Sequence, residues 1–243
     1  NAAKNSIPSV ALTDQSNMFG LVKFFNKCEA SGIKPISGTS LKLIFDDDDN
    51  AYEVLCLAKT NQGHKNLMKI ISKAHNNANF KIPAIKSEEL ADLKNDIFVI
   101  SGGKGSHIFE YLRMNNYNEA VRRIDDFRDL CGDSFALEVQ RTNRLDEIEY
   151  FNHIIPISIE KGIPVIATND VLFLNQDDYE IHETKVCINT GKTLNDPNRE
   201  KIFSDQQYLK SADEMKELFN DFMCVVDNTN EISKKCNVSL KTK

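Results

Sequence analysis

Val165-Ile166-Ala167-Thr168-Asn169-Asp170 sets three apolar residues against three polar ones. A run so short and apolar predicts a buried strand over 165–168, and the polar residues predict its exit. The pattern recurs. A strand predicted over 7–12 ends at Thr13-Asp14, one over 97–100 ends at Ser101-Gly102, and one over 135–140 ends at Gln140-Arg141. Two more strands are expected over 33–45, broken at Gly38, and over 52–58. Between the strands, apolar residues fall at helical spacing: Met18, Leu21, Val22 and Phe25 within 17–30, and Leu67, Ile70, Ile71 and Ala74 within 61–77. Helices are also predicted over 106–115, 117–131, 146–161 with an interruption at Pro156, 177–189, 211–220 and 223–235, and a short one opens at Ser87. Short buried strands separated by helices define an α/β fold with a mainly parallel sheet of about six strands. Polar residues gathered at C-terminal strand ends are where parallel barrels build their sites.

Composition agrees with one domain over 1–243. Hydrophobic residues make up 41% and charged residues 27% of the 243, enough for a core and too apolar for a disordered chain. No apolar run approaches the ~18 residues a membrane span needs. The net charge of −6 argues against this segment as the main grip on DNA phosphates. Six cysteines, at 28, 56, 131, 187, 224 and 236, contain no C-x-x-C pair and are expected as buried reduced thiols, which places the chain in the cytoplasm.

Short motifs give weak chemistry by themselves. Asp46-Asp47-Asp48-Asp49 lacks the spaced ligands, glycine and distal Glu of a calcium loop, so a solvated turn is expected. Ser101-Gly102-Gly103-Lys104-Gly105-Ser106 sits between a strand and a helix, yet departs from the Walker spacing and reads as a tight turn. His182-Glu183 has Val186 where a zincin has its second His. Thr168-Asn169-Asp170 is the most suggestive short site, and its carboxylate suits a metal ligand or a helix cap equally well.

Several segments, in order along nearly the whole chain, carry a family resemblance. They are Ala11-Leu12-Thr13-Asp14 through Val22, Gly32-Ile33-Lys34-Pro35-Ile36-Ser37-Gly38, Leu57-Ala58-Lys59, Gly63 with Asn66-Leu67, Ser101-Gly102-Gly103, Leu137-Glu138, Val165 to Val171, and Asp178 with His182-Glu183. Together they resemble the N-terminal PHP (polymerase and histidinol phosphatase) domain of the bacterial DNA polymerase III alpha subunits. The resemblance implies a distorted seven-stranded (β/α) barrel. It further implies a fragment whose first strand and whose downstream polymerase modules lie outside the chain, and an open sheet edge at residues 7–13.

Active members of the family hold up to three metal ions at the strand ends, with ligands that begin in a His-x-His segment upstream of Asn1. The resemblance places the remaining ligand positions in this chain. A family His after the Thr-Asp pair that includes Asp14 is here Gln15, and a family Glu is here Ser40. Glu53 stands for a His, Gly103 for a Cys and Leu172 for a His, while Thr142 falls nearest to one more His. Of the family ligands Asp170 remains. Gln, Ser, Gly and Leu offer one weak donor or none, so the cleft is expected to be vestigial, without metal and without catalytic residues.

Two principal functions compete. The first is a scaffold domain of a replicative DNA polymerase, supporting the polymerase core and binding the proofreading exonuclease subunit and other replicase subunits. The parent would then be a DNA-directed DNA polymerase, a nucleotidyltransferase that uses Mg and meets DNA through modules absent here. The alternative is a metal-dependent phosphoesterase or 3′–5′ exonuclease, which needs a metal-activated water. A free-standing sugar-phosphate enzyme on the same barrel is a third reading, disfavoured by the polymerase-type segments.

Overall fold

Two adjacent stretches pair along most of their length. β2 (Lys34–Phe45) and β3 (Asp48–Ala58) form an antiparallel hairpin, with Gly38 opposite Leu57 and Leu43 opposite Tyr52. The structure, a computed structural model, describes residues 1–77 and 82–240 and, at Asp49, the backbone alone. Gly38 does not break β2, as the sequence had suggested. A Cβ there would lie 2.6 Å from Leu57 Cδ2 and 2.8 Å from the Cys56 carbonyl oxygen, so glycine serves the close approach of two strands.

The remaining strands are β1 (Ser9–Leu12), β4 (Ala84–Lys86), β5 (Ile97–Ile100), β6 (Phe135–Gln140) and β7 (Val165–Thr168). They join in one seven-stranded sheet in the order β1-β2-β3-β5-β6-β7, with β4 beside β2. The sheet is mixed. β1–β2, β2–β4, β5–β6 and β6–β7 are parallel, whereas β3 runs antiparallel to both its neighbours. The three-residue β4 is too short to leave a pattern in the sequence.

The helices are α1 (Leu21–Ala30), α2 (Asn61–Asn76), α3 (His107–Arg113), α4 (Tyr117–Cys131), α5 (Glu147–Lys161), α6 (Tyr179–Thr190), α7 (Ala212–Leu218) and α8 (Cys224–Lys235), and Ile232 of α8 packs into the inside of the curled sheet. Residues 17–20, expected within the first helix, precede it, and α5 continues through Pro156. That proline removes one backbone donor but does not end the helix, which is anchored by buried Tyr150, Ile154 and Ile157.

The four apolar residues of β5 show why alternation was invisible there. Ile97 and Val99 pack outward among Leu67, Ile124 and Phe127 beneath the helices. Phe98 and Ile100 face inward with Ile36, Leu57, Ala136 and Ile166. Both faces are buried, so both must be apolar.

The sheet curls about this inner core without closing: among the described residues β1 pairs only with β2, and β7 only with β6. Side chains of α8 take up part of the outer edge of β7. The Ala167 N–H donates to Thr229 Oγ1 at 3.1 Å, and Asn228 Nδ2 donates to the Val165 carbonyl at 2.9 Å. Ser9 of β1 meets Ser233 of α8 at 2.7 Å between hydroxyls.

Two expectations about side chains need correction. Cys224 is exposed, whereas the other five cysteines are buried, and burial raises the Cys131 thiol to about 12. The acidic turn is an ion-pair knot and not simply solvated. Asp47 meets Arg122 at 2.6 Å and Arg123 at 3.0 Å, and Asp46 meets Lys86 at 2.7 Å. Arg123 is 1% exposed and lies 3.7 Å over the Phe45 ring, so its charge needs a partner that the turn supplies.

Candidate functional site

The inner face of β6 follows the period of a strand. Phe135, Leu137 and Val139 point toward the helices, and Ala136 points inward, so Glu138 also faces the cleft. A carboxylate amid an apolar strand was the legible signal for it, and the sequence reading had not singled it out as a site residue. Glu138 is 4% exposed and accepts hydrogen bonds from Thr168 Oγ1 and from Gln140 Nε2, the latter at 3.2 Å. Burial pushes its carboxyl up to about 7; the Thr168 and Gln140 hydrogen bonds oppose that rise, and the nearby Asp170 and Glu53 add to it.

Glu138 lines an open cleft of about 1040 Å³ that runs along the inside of the curl, from the strand ends to Ile36, Leu57 and Ile232. Asp14, Gln15, Ser40, Glu53, Asp170 and Leu172 all line it, so the structure brings together six positions that the sequence had scattered. Gln15 bridges to Ser40, and the Ser40 N–H donates to the Asp14 carbonyl at 3.2 Å. Ser40 Oγ donates to Glu53 Oε1 at 2.5 Å, and Lys42 Nζ stands 3.7 Å from Glu53 Oε2. Gly103 is held behind the wall: a Cβ there would come within 2.9 Å of Gln140 Nε2. Leu172 is 40% exposed at the rim. Thr142 is fully buried and turned away, donating from Oγ1 to Glu147 Oε1 at 2.6 Å.

The 101–106 segment is the tight turn the sequence suggested. Gly102 has φ +90°, and its backbone packs so closely on β3 that a Cβ would sit 2.2 Å from the Glu53 carbonyl oxygen. Ser106 caps α3 by accepting from the Phe109 N–H at 3.1 Å. Asn169-Asp170 caps no helix. Asn169 Nδ2 donates to the carbonyls of Gln206 and Tyr208 at 2.9 and 2.8 Å. Asp170, in the left-handed region at φ +44°, accepts from Gln207 Nε2 at 2.9 Å and from Arg144 at 2.8 Å.

Arg144 is the second residue that the sequence did not reveal, because nothing in its local pattern sets it apart. Histidine chemistry also stays outside the cleft. His182 packs edge-on against Phe203 with centroids 4.8 Å apart, and Glu183 is spent on a buried ion pair with Arg199. His107 lies far along the sheet between Phe45 and Tyr52, and burial, aided by Arg123, lowers its imidazole to about 3. Asp48 opposes that shift from 3.8 Å, which is beyond hydrogen-bond reach.

These donors do not fit a multinuclear metal set. Glu53 is engaged by Ser40, Glu138 by Thr168 and Gln140, and Asp170 by Arg144 and Gln207. Among the described residues no three His, Cys, Asp or Glu side chains come together as metal ligands.

A curled α/β sheet with helices outside and polar strand ends around one cleft defines the class: an open (β/α)-barrel-type domain whose site lies inside the curl. The chain belongs to the PHP domain family, whose model matches residues 1–142. It is 40% identical over 237 residues to the DNA polymerase III subunit alpha of Pseudomonas fluorescens, covering 97% of this chain and 20% of that protein. It is 36% identical over 242 residues to the DNA polymerase III subunit alpha of Escherichia coli (strain K12), covering 99% of this chain and 21% of that protein. The chain thus spans about a fifth of the length of these curated relatives. A solved structure from Bifidobacterium adolescentis, described as a candidate metal-dependent phosphoesterase, superposes with a TM-score of 0.47 at 13% identity, over 90% of this chain and 87% of that one. No helix among the described residues is long and apolar enough to cross a membrane.

Proposed function

We propose that this chain is the PHP domain of a replicative DNA polymerase alpha subunit, and that it works there as a metal-free scaffold. In this reading it supports the polymerase core and binds the proofreading exonuclease subunit, while DNA and the catalytic Mg are handled by polymerase modules elsewhere in the parent protein. Support for the family setting comes from the match to DNA polymerase III alpha subunits over 97–99% of the chain. The observation that carries the scaffold role is the state of the cleft acids. Each of Glu53, Glu138 and Asp170 is already held by side chains of the same molecule. Asp14 is the one acid lining the cleft whose carboxylate accepts no side-chain hydrogen bond among the described residues, and a hydrolytic metal centre needs several open ligands and a bound water.

The test uses the purified chain with primed DNA, Mn²⁺ or Zn²⁺, and a labelled 3′ end. Neither nucleotide release nor template-directed incorporation is expected, and the exonuclease subunit is expected to co-elute with the chain. Release of 3′ nucleotides that is abolished by EDTA would replace the scaffold reading with the phosphoesterase or exonuclease one.

A further inference from the structure

Arg144 stands at the centre of the cleft's charge balance. Its side chain is 8% exposed, on the loop between β6 and α5. Nη1 donates to Asp170 Oδ2 at 2.8 Å, and Nη2 donates to Gln140 Oε1 at 2.5 Å. Nε reaches Thr142 Oγ1 at 2.8 Å and Glu147 Oε1 at 3.0 Å. Glu147 is 5% exposed, and its other oxygen accepts the Thr142 N–H at 2.6 Å. One guanidinium therefore ties the end of β6, the start of α5 and the end of β7 together. Through Gln140 it also reaches Glu138 and Thr168.

Buried carboxylates are neutralised by protons or by a cation, and Glu138 and Glu147 are buried while Asp170, 40% exposed, stands at the mouth of the cleft. Burial moves Glu138 toward the protonated form, whereas Glu147 behind the cleft wall and Asp170 at its mouth are paired with Arg144. We infer that Arg144 is the resident cation of this cleft: its guanidinium does for Asp170 and Glu147 what a bound metal would do, and its positive charge keeps a divalent ion out. The planar fork suits the task, since it offers several fixed donors and stays charged at every working pH. The guanidinium is weakly hydrated, so it loses less on burial than a small cation would, and being covalently attached it is never at low concentration. Lys104, also lining the cleft, stands close enough that Arg144 helps to lower its ammonium pKa, second to burial. The order of the β6 and β7 ends then does not depend on added metal. This inference rests on the reading of the cleft as metal-free.

The experiment compares wild type with Arg144→Ala, Arg144→Lys and the double variant Arg144→Ala/Asp170→Asn. It reads Mn²⁺ binding by electron paramagnetic resonance, and thermal melts with EDTA, Mn²⁺ or methylguanidinium. Wild type should hold no stoichiometric Mn²⁺ and melt alike in EDTA and Mn²⁺. Arg144→Ala should melt lower, bind Mn²⁺ at least tenfold tighter than wild type, and recover part of its melting temperature with either cation. The double variant should lose that Mn²⁺ gain, and Arg144→Lys should fold and still exclude Mn²⁺. Stoichiometric Mn²⁺ on the wild type overturns both the inference and the metal-free reading. A folded Arg144→Ala that gains no Mn²⁺ overturns the role of Arg144 alone. If Arg144→Ala does not fold, Arg144→Lys decides, and either Mn²⁺ uptake or failure to fold with the charge retained counts against the inference.

Discussion

Replacing Glu138 by Gln should make the protein more stable, and only above a definite pH. In the folded chain the Glu138 carboxyl titrates at about 7, raised from its ordinary 4.5 chiefly by burial. The unfolded chain gives up this proton first as pH rises. Stability therefore falls between about 4.5 and 7 and stays at its lower level above that range. Each pH unit in that gap is worth about 1.4 kcal/mol, which puts the burden of an ionised Glu138 on the order of 3 kcal/mol. Gln keeps the oxygen that accepts from Thr168 and Gln140, but its NH₂ needs partners of its own, an offset of about 1 kcal/mol. The net gain of about 2 kcal/mol at pH 8 corresponds to a rise in Tm of about 4–8 °C for a chain of this size. The assay is a set of melts of wild type and E138Q at pH 4, 6 and 8. The gain should shrink toward pH 4, where the native carboxyl is also neutral. A difference that is constant with pH, or largest at pH 4, would refute the assignment of Glu138 as a carboxyl raised by burial.

His107 should produce the opposite slope. Its folded imidazole titrates at about 3, so below its ordinary 6.5 the unfolded chain binds a proton that the folded chain refuses, and stability falls as pH drops from 6.5 toward 3. Urea midpoints of His107→Gln at pH 7, 5 and 4 should show a flatter acid limb than wild type; an unchanged limb would remove His107 as its cause. Asp47 is held at about 2, first by its hydrogen bond to Arg123, so Arg123→Gln should return that carboxyl toward 3.8 in a carbon-detected NMR titration. Two glycine substitutions separate crowding from backbone strain. Gly162→Ala, at φ +64° with nothing within 4 Å of the new Cβ, should cost about 1 kcal/mol in urea unfolding. Gly102→Ala, with Glu53 O in its way, should cost at least about 3 kcal/mol, and equal losses at the two sites would show that the close approach of turn and strand does not matter.

Patterns of only a few residues carried most of the fold. Helices α2, α4 and α8 were legible from their length and apolar period, and strands β5, β6 and β7 from short, largely apolar runs bounded by polar residues. β4 was not, since its three residues hold only one and a half periods of a strand. Pro156 misled because tertiary burial of Tyr150, Ile154 and Ile157 outweighs one missing backbone donor. The Asp46–Asp49 run misled for a similar reason: the demand for its charge comes from Arg123, which lies far along the chain.

The candidate site divides along the same line. The sequence showed polar residues at the strand ends, and its family resemblance implied that Gln15, Ser40, Gly103 and Leu172 stand where relatives carry ligands; the structure puts Gln15, Ser40 and Leu172 in the cleft lining and Gly103 behind it. Only tertiary structure decided how the remaining acids are used. Whether a carboxylate is free, protonated or paired depends on the distance to groups remote in sequence: Thr168 for Glu138, Ser40 for Glu53, and Arg144 for Asp170. Charges interact through space with a strength set by separation and burial, and neither quantity is written in the spacing of residues along a chain.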